Sequence, residues 1–136
     1  MPGPLDALIP HRPPMQWIDA LIGCTETTAS ATVCFTAGHF AVADGTVLET
    51  GLVESMAQAV AAAQGQRAQA AGAANPARNG MLGALSNFRI HSHPPLGKPL
   101  LIEVRELRRF GPMLLVAGNV SYLGQPIASG ELTLYA

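Results

Sequence analysis

Thr50-Gly51-Leu52-Val53-Glu54-Ser55-Met56-Ala57-Gln58-Ala59-Val60-Ala61-Ala62-Ala63-Gln64-Gly65-Gln66-Arg67-Ala68-Gln69-Ala70-Ala71 is the stretch on which the fold turns. It holds no proline and is rich in strong helix formers. Val53, Ala57, Val60 and Ala61 recur at helical spacing, and Leu52, Met56, Ala59 and Ala63 broaden the stripe. The period predicts one helix of about six turns, roughly 33 Å long at 1.5 Å rise per residue. Apolar side chains run most of the way around it as far as Ala63, so this part is expected to be enclosed. Gln64, Gln66, Arg67 and Gln69 make the last turns more polar. Its many small side chains let other backbone approach closely.

Upstream, Pro2, Pro4, Pro10, Pro13 and Pro14 punctuate the first segment, with one helical turn expected over 5–9 before Pro10 stops it. Two strand-like runs follow, 15–22 and 25–35, the second rich in β-branched and small residues. A hairpin turning near Gly23 is the simplest way to join them. Downstream, residues 72–80 read as a loop. Four strand-like runs then cover 81–91, 100–110, 113–123 and 127–135, separated by Pro94-Pro95 and Gly97, by Gly111-Pro112 and by Gly124-Gln125-Pro126. The last three read as an antiparallel meander. Strands, one long helix, then strands is the order of an α+β fold with a single helix on one face of an antiparallel sheet.

The chain has 136 residues, enough for a single domain over 1–136. Hydrophobic residues make up 49% but aromatics only 5%, so the core must be aliphatic and Ala-rich. That hydrophobicity, with a net charge of −1, excludes a disordered chain. The same charge balance argues against nucleic acid, since no basic run exceeds Arg108-Arg109. No apolar run reaches the ~18 residues of a membrane-spanning helix. Charged residues are only 12%, leaving little to cover a surface, so self-association is expected. The opening Met-Pro-Gly-Pro-Leu-Asp has no basic stretch followed by an apolar one, which predicts a cytoplasmic protein without a secretion signal. Cys24 and Cys34 then read as reduced thiols in strands.

Four short stretches carry more. Leu8-Ile9-Pro10-His11-Arg12-Pro13-Pro14-Met15, followed by Asp19, resembles the Pro-His-Arg opening of the FabZ/FabA-type 3-hydroxyacyl-acyl-carrier-protein dehydratases. Gly38-His39-Phe40 is similar to their Gly-His-Phe, and Glu54-Ser55-Met56-Ala57-Gln58-Ala59 to the start of their central helix. Gly130-Glu131-Leu132-Thr133 fits their last strand. The family usually has prolines between this His and Glu, ending in Pro-Gly. Here residues 41–51 contain no proline, and Gly51 lies closer to the Glu than the usual Gly. That version is more similar to the ApeP-like branch of aryl-polyene clusters. The resemblance implies a hotdog fold, in which one long central helix packs on a curved antiparallel sheet. It further implies a homodimer, or a heterodimer with a related dehydratase, and an acyl-carrier-protein or CoA thioester as substrate. It implies no cofactor and no metal.

His39 and Glu54 suit the chemistry so implied. Dehydrating a 3-hydroxyacyl thioester requires removal of an α proton and protonation of the leaving hydroxyl. A neutral His is an apt base near pH 7, and a carboxylic acid donates a proton if an apolar pocket raises its pKa. Charge on the thioester oxygen needs amide donors, which a helix N-terminus supplies, with Gly51 allowing close approach. Leu52 would then line the pocket, and Gln58, one turn after Glu54, would orient the carboxylate or meet the substrate. The resemblance implies that His39 of one subunit faces Glu54 of the other. Residue type alone leaves plainer readings open: a loop histidine, a first-turn carboxylate favoured by the helix dipole, and an interface Gln.

Other features are weaker. His11-Arg12 reads as structural, near the pocket mouth. His91 and His93 share a strand face but have no third ligand beside them. Arg105, Arg108 and Arg109 read as solvated charges, or as a contact for an acidic carrier protein. Two rival functions remain: a thioesterase using the same helix carboxylate to activate water, and a non-catalytic acyl-binding subunit paired with an active dehydratase.

Overall fold

Alternation of apolar and polar side chains builds most of this molecule, and one apolar helix closes it. The computed structural model describes residues 4–73 and 81–135. A single turn, α1 (Leu5–Leu8), precedes the strands β1 (Ile18–Cys24) and β2 (Thr28–Cys34). A two-residue pair, β3 (Val42–Ala43) and β4 (Thr46–Val47), leads into the long helix α2 (Glu49–Ala70). Then come β5 (Met81–Ile90), β6 (Pro99–Phe110), β7 (Met113–Tyr122) and β8 (Gln125–Tyr135). The six long strands form one antiparallel sheet in the order β1-β2-β6-β7-β8-β5.

The meander expected from the last three runs is β6-β7-β8, with Ile102 opposite Val120 and Val116 opposite Leu132. Along β6 and β7 the buried side chains are Leu100, Ile102, Val104, Leu114, Val116 and Val120, one face of the pleat. That face receives α2. Leu52, Met56, Ala59, Ala62 and Ala63 of the helix are 1% exposed or less. The enclosure extends around the helix through Ser55, Ala57 and Gln58, as the near-continuous apolar sequence implies. Ala61, placed in the stripe by spacing, is only half-buried, whereas Ala62 is fully covered.

Two details differ from the sequence reading. The first hairpin turns over Thr25–Thr27 rather than at Gly23, which pairs with Ser30 inside the ladder. The Thr25 hydroxyl accepts from the Thr27 and Thr28 N–H groups at 3.3 and 3.0 Å, so a side chain that mimics backbone makes the turn. Second, the 41–51 stretch is ordered by a tight hairpin. Asp44 and Gly45 both take left-handed backbone, φ 52° and 73°, the arrangement that an Asp-Gly pair favours between two strands. The expected loop over 72–80 lies mostly outside the described residues.

β5 forms an edge of the sheet. It pairs with β8 and, among the described residues, with nothing on its other side. Met81, Leu85 and Ile90 stand exposed on it. The ladder slips between Ser86 and Arg89, where Asn87 has φ 52°.

Candidate active site

The first turns of α2, the proline-rich opening and β5 border an open pocket of about 630 Å³. Met15, Trp17, Val53, Leu82, Leu85 and Phe88 make its wall mostly apolar. Its titratable groups are His11, Glu49 and Glu54. Glu54 is there because it lies on the side of α2 that faces the opening segment and β5, while Met56 and Ala59 face the sheet.

Gln58 sets the position of Glu54. Its side chain is 1% exposed, and its amide is fully committed. The Oε1 atom accepts from the Trp17 and Ile18 N–H groups at 2.8 and 3.3 Å. The Nε2 atom donates to the Met15 carbonyl at 2.8 Å and to Glu54 Oε1 at 3.2 Å. Gln58 therefore ties the opening segment to the helix and holds the carboxylate, one turn away as its spacing indicated. His11 lies on the other side of the same oxygen, its Nε2 3.6 Å from Glu54 Oε1, while its Nδ1 is enclosed without a partner. Sequence reading gave His11 a structural place at the pocket mouth; the structure puts it beside the carboxylate. The short spacing from Pro10 and the cis bond between Pro13 and Pro14 belong to a segment whose path is not readable from propensities.

His39 lies elsewhere. The turn that begins with the His39 N–H donating to the Thr36 carbonyl at 3.0 Å carries it just past the end of β2. Its ring is edge-on to Trp17 and Phe35, with centroids 5.0 and 4.9 Å away. Nδ1 accepts a hydrogen bond from the Ala41 N–H at 2.9 Å. Burial lowers its pKa below the ordinary His value, opposed by the Asp19 carboxylate. Asp19 itself is raised by partial desolvation, opposed by a backbone hydrogen bond from Cys34 and by His39. Within one chain His39 is not part of the Glu54 pocket wall, although Trp17, which lines that pocket, touches its ring.

Gly51 does allow a close approach, but to its own chain: a Cβ there would lie 2.6 Å from the Ala41 Cβ. Its N–H donates to the Leu48 carbonyl at 2.9 Å. Leu52 is 1% exposed and borders a second cleft of about 390 Å³ instead of the Glu54 pocket. His91 bonds the Ser129 hydroxyl at 2.8 Å. Among the described residues no three His, Cys, Asp or Glu side chains gather at one point. Arg109 pairs with Glu106 and Arg108 lies over Phe110, both on the exposed end of β6. Cys24 and Cys34 are free and half-buried. No helix among the described residues is long and apolar enough to cross a membrane.

One long helix laid on a six-stranded antiparallel sheet, with a carboxylate of its second turn at an apolar pocket, defines a protein of the hotdog fold. The chain belongs to the ApeP-like family, ApeP dehydratase, whose model matches residues 3–136. Its fold is similar to that of the dehydratase heterocomplex ApeI:P from Xenorhabdus doucetiae, with a TM-score of 0.88 and 23% identity over 98% of this chain and 90% of that one. A hypothetical thioesterase with coenzyme A from Streptococcus pneumoniae shares it at TM-score 0.65 and 9% identity, over 85% of this chain and 83% of that one. The PaaI protein of the E. coli phenylacetic acid degradation operon does so at TM-score 0.65 and 14% identity, over 88% and 82%. No curated protein is matched by the sequence.

Proposed function

We infer that this protein is a hydro-lyase that removes water from a 3-hydroxyacyl thioester, giving the trans-2-enoyl thioester. The acyl chain arrives on an acyl carrier protein and lies along the apolar wall between α2 and β5. The observation that carries this reading is Glu54, fixed by Gln58 at the edge of a groove lined by Val53, Leu82, Leu85 and Phe88. Gln58 acts on the substrate through Glu54, its own amide being fully engaged. Gly51 and Leu52 lie outside this groove, Gly51 packed against Ala41 and Leu52 on the second cleft.

The site is completed by a second subunit. His39 and Glu54 are separated within one chain, and β5 offers an open edge with Met81, Leu85 and Ile90 exposed. Joining two sheets at that edge brings His39 of one subunit toward Glu54 of the other. The second subunit is either another copy or a related dehydratase; the latter reading is supported by the likeness to a dehydratase heterocomplex.

The thioesterase likenesses favour one alternative, hydrolysis in the same groove. A single assay separates the two. Purified protein is incubated with a 3-hydroxyacyl-pantetheine thioester, alone and with a related dehydratase subunit. Loss of water with the thioester intact supports dehydration, free thiol supports hydrolysis, and neither product in either mixture overturns both.

A further inference from the structure

The Glu54 pocket and the second cleft share one residue, Glu49, at the start of α2. On β5 the first is lined by Leu82, Leu85 and Phe88, and the second, of about 390 Å³, by Ile90. On the helix the lining changes from Val53 to Leu52. Phe88 and Ile90, two residues apart, therefore mark where one cavity gives way to the other.

The strand is bent to put Phe88 there. Plain alternation from Leu82 would turn Ala84 and Ser86 to the same face. The β5–β8 ladder slips between Leu82 and Ala84 and again between Ser86 and Arg89. Each slip inserts a residue and re-aims those after it. Residues 82, 85 and 88 thus line one pocket at a spacing of three. At the second slip Asn87 takes left-handed backbone, φ 52°, and its Nδ2 donates to Glu131 Oε2 at 3.3 Å. The half-buried Phe88 ring settles against Gly130, where a Cβ would lie 3.2 Å from Phe88 Cδ1. The missing side chain on β8 lets the ring lie close to the sheet. Phe88 is the bulkiest side chain that β5 brings to the pocket.

Resting on the dehydratase reading, which lays the acyl chain between α2 and β5, we propose that Phe88 limits the length of that chain by closing the Glu54 pocket off from the second cleft. A chain whose thioester end reacts beside Glu54 and whose tail follows Leu85 along β5 meets the Phe88 ring before it reaches Ile90. Beyond the ring, Leu48, Leu52 and Ile90 offer further apolar surface. Truncating the ring joins the two spaces. Each additional methylene that enters then gains its transfer free energy, about fourfold in kcat/KM.

The test reads specificity as kcat/KM across 3-hydroxyacyl-pantetheine thioesters of roughly four to twelve carbons, in the active enoyl-forming preparation. In wild type kcat/KM is expected to stop rising at one chain length. Phe88→Ala is expected to carry the rise two or three methylenes further, so that the long-to-short ratio grows by roughly tenfold or more. Phe88→Leu keeps an apolar side chain over Gly130 and is expected to give a smaller gain of the same sign, which decides the matter should the Ala variant not fold. Adding Ile90→Trp to either variant fills the second cleft and is expected to return the ratio toward wild type. An unchanged ratio in a folded Phe88 variant overturns the proposal, and so does a gain that Ile90→Trp leaves intact. Wild-type protein that forms no enoyl thioester from any chain overturns the dehydratase reading instead. Calorimetric binding of saturated acyl-pantetheines of the same lengths then decides the role of Phe88. The length at which affinity ceases to rise moves outward in Phe88→Ala if the ring is the stop, and stays fixed, or is absent, if it is not.

Discussion

At Glu54 a single carboxylate oxygen sits between an amide N–H at 3.2 Å and an imidazole nitrogen at 3.6 Å. Such flanking matters because proton transfer depends on placement within fractions of an ångström. His11→Ala leaves Gln58 in place but frees one side of the carboxylate. It is expected to lower kcat/KM by about 10–100-fold with the melting temperature little changed, since misplacement alone reaches that size. Glu54→Gln removes the titratable group and is expected to lose about 10²–10⁴-fold or more. The pH profile carries a sign. The folded pKa of His39 is lowered, so the neutral, Nε2–H form persists below the ordinary value of about 6.5. The acid limb of kcat/KM is therefore expected below that pH, and its His39 component is absent in His39→Gln. Stability follows the same linkage. The unfolded chain protonates first, so the contribution is complete above about pH 6.5 and is lost as pH falls toward the lower folded value. Urea midpoints measured near neutral pH and about one unit below the unfolded pKa should drop more for wild type than for His39→Gln.

At the scale of elements, the site depends on how tightly the start of α2 lies against the hairpin β3–β4. Gly51 and Ala41 meet there, and the Leu48 N–H donates to the Ala41 carbonyl at 2.7 Å. Gly51→Ala puts a methyl 2.6 Å from another and forces the two apart. Overpacking of this kind costs about 1–3 kcal/mol. The Ala41→Gly change in the same protein removes the clash, so thermal melting of the double variant is expected to recover most of the loss; no recovery would mean that the strain lies elsewhere. Such close approaches mark the boundary of what sequence reveals. The long helix and the β6–β7–β8 meander were legible because a period of 3.6 or 2 repeats over ten or more residues and leaves little ambiguity. Glu54 and Gln58 were legible as a pair through their one-turn spacing. The place of His11 was not, because a proline-rich segment has no periodicity and its path is decided by the Trp17, Ile18 and Met15 backbone bonds to a buried Gln. The β3–β4 hairpin had a usable signal in Asp44-Gly45 between Val42 and Val47, though its strands are too short to show alternation. The orientation of the His39 ring depends on one backbone N–H, which no side-chain motif encodes.

For the whole molecule, the open edge of β5 and the separation of His39 from Glu54 make one argument. An exposed strand edge with Met81, Leu85 and Ile90 upon it is a liability in isolation, and pairing it with a second subunit removes it. Leu85 also borders the Glu54 pocket, so the surface proposed to join subunits and the surface proposed to hold the acyl chain are continuous. Leu85→Asp places a charge at that junction. Sedimentation is expected to shift from dimer to monomer at micromolar concentration, with loss of dehydration in parallel; a monomeric wild type with full activity would defeat the shared-site arrangement. Mixing subunits tests it more sharply. His39→Ala and Glu54→Gln proteins are each expected to be inactive, because every site in either homodimer lacks one group. After unfolding and refolding together, half of the dimers at equal input are mixed by random pairing. Each mixed dimer has one site that lacks both groups and one that has both intact. That intact site restores about half of the wild-type rate per mixed dimer, about a quarter of wild type for the whole population if the two sites work independently. Absence of recovery, with exchange of subunits verified by mass, would place both groups in the service of a single chain.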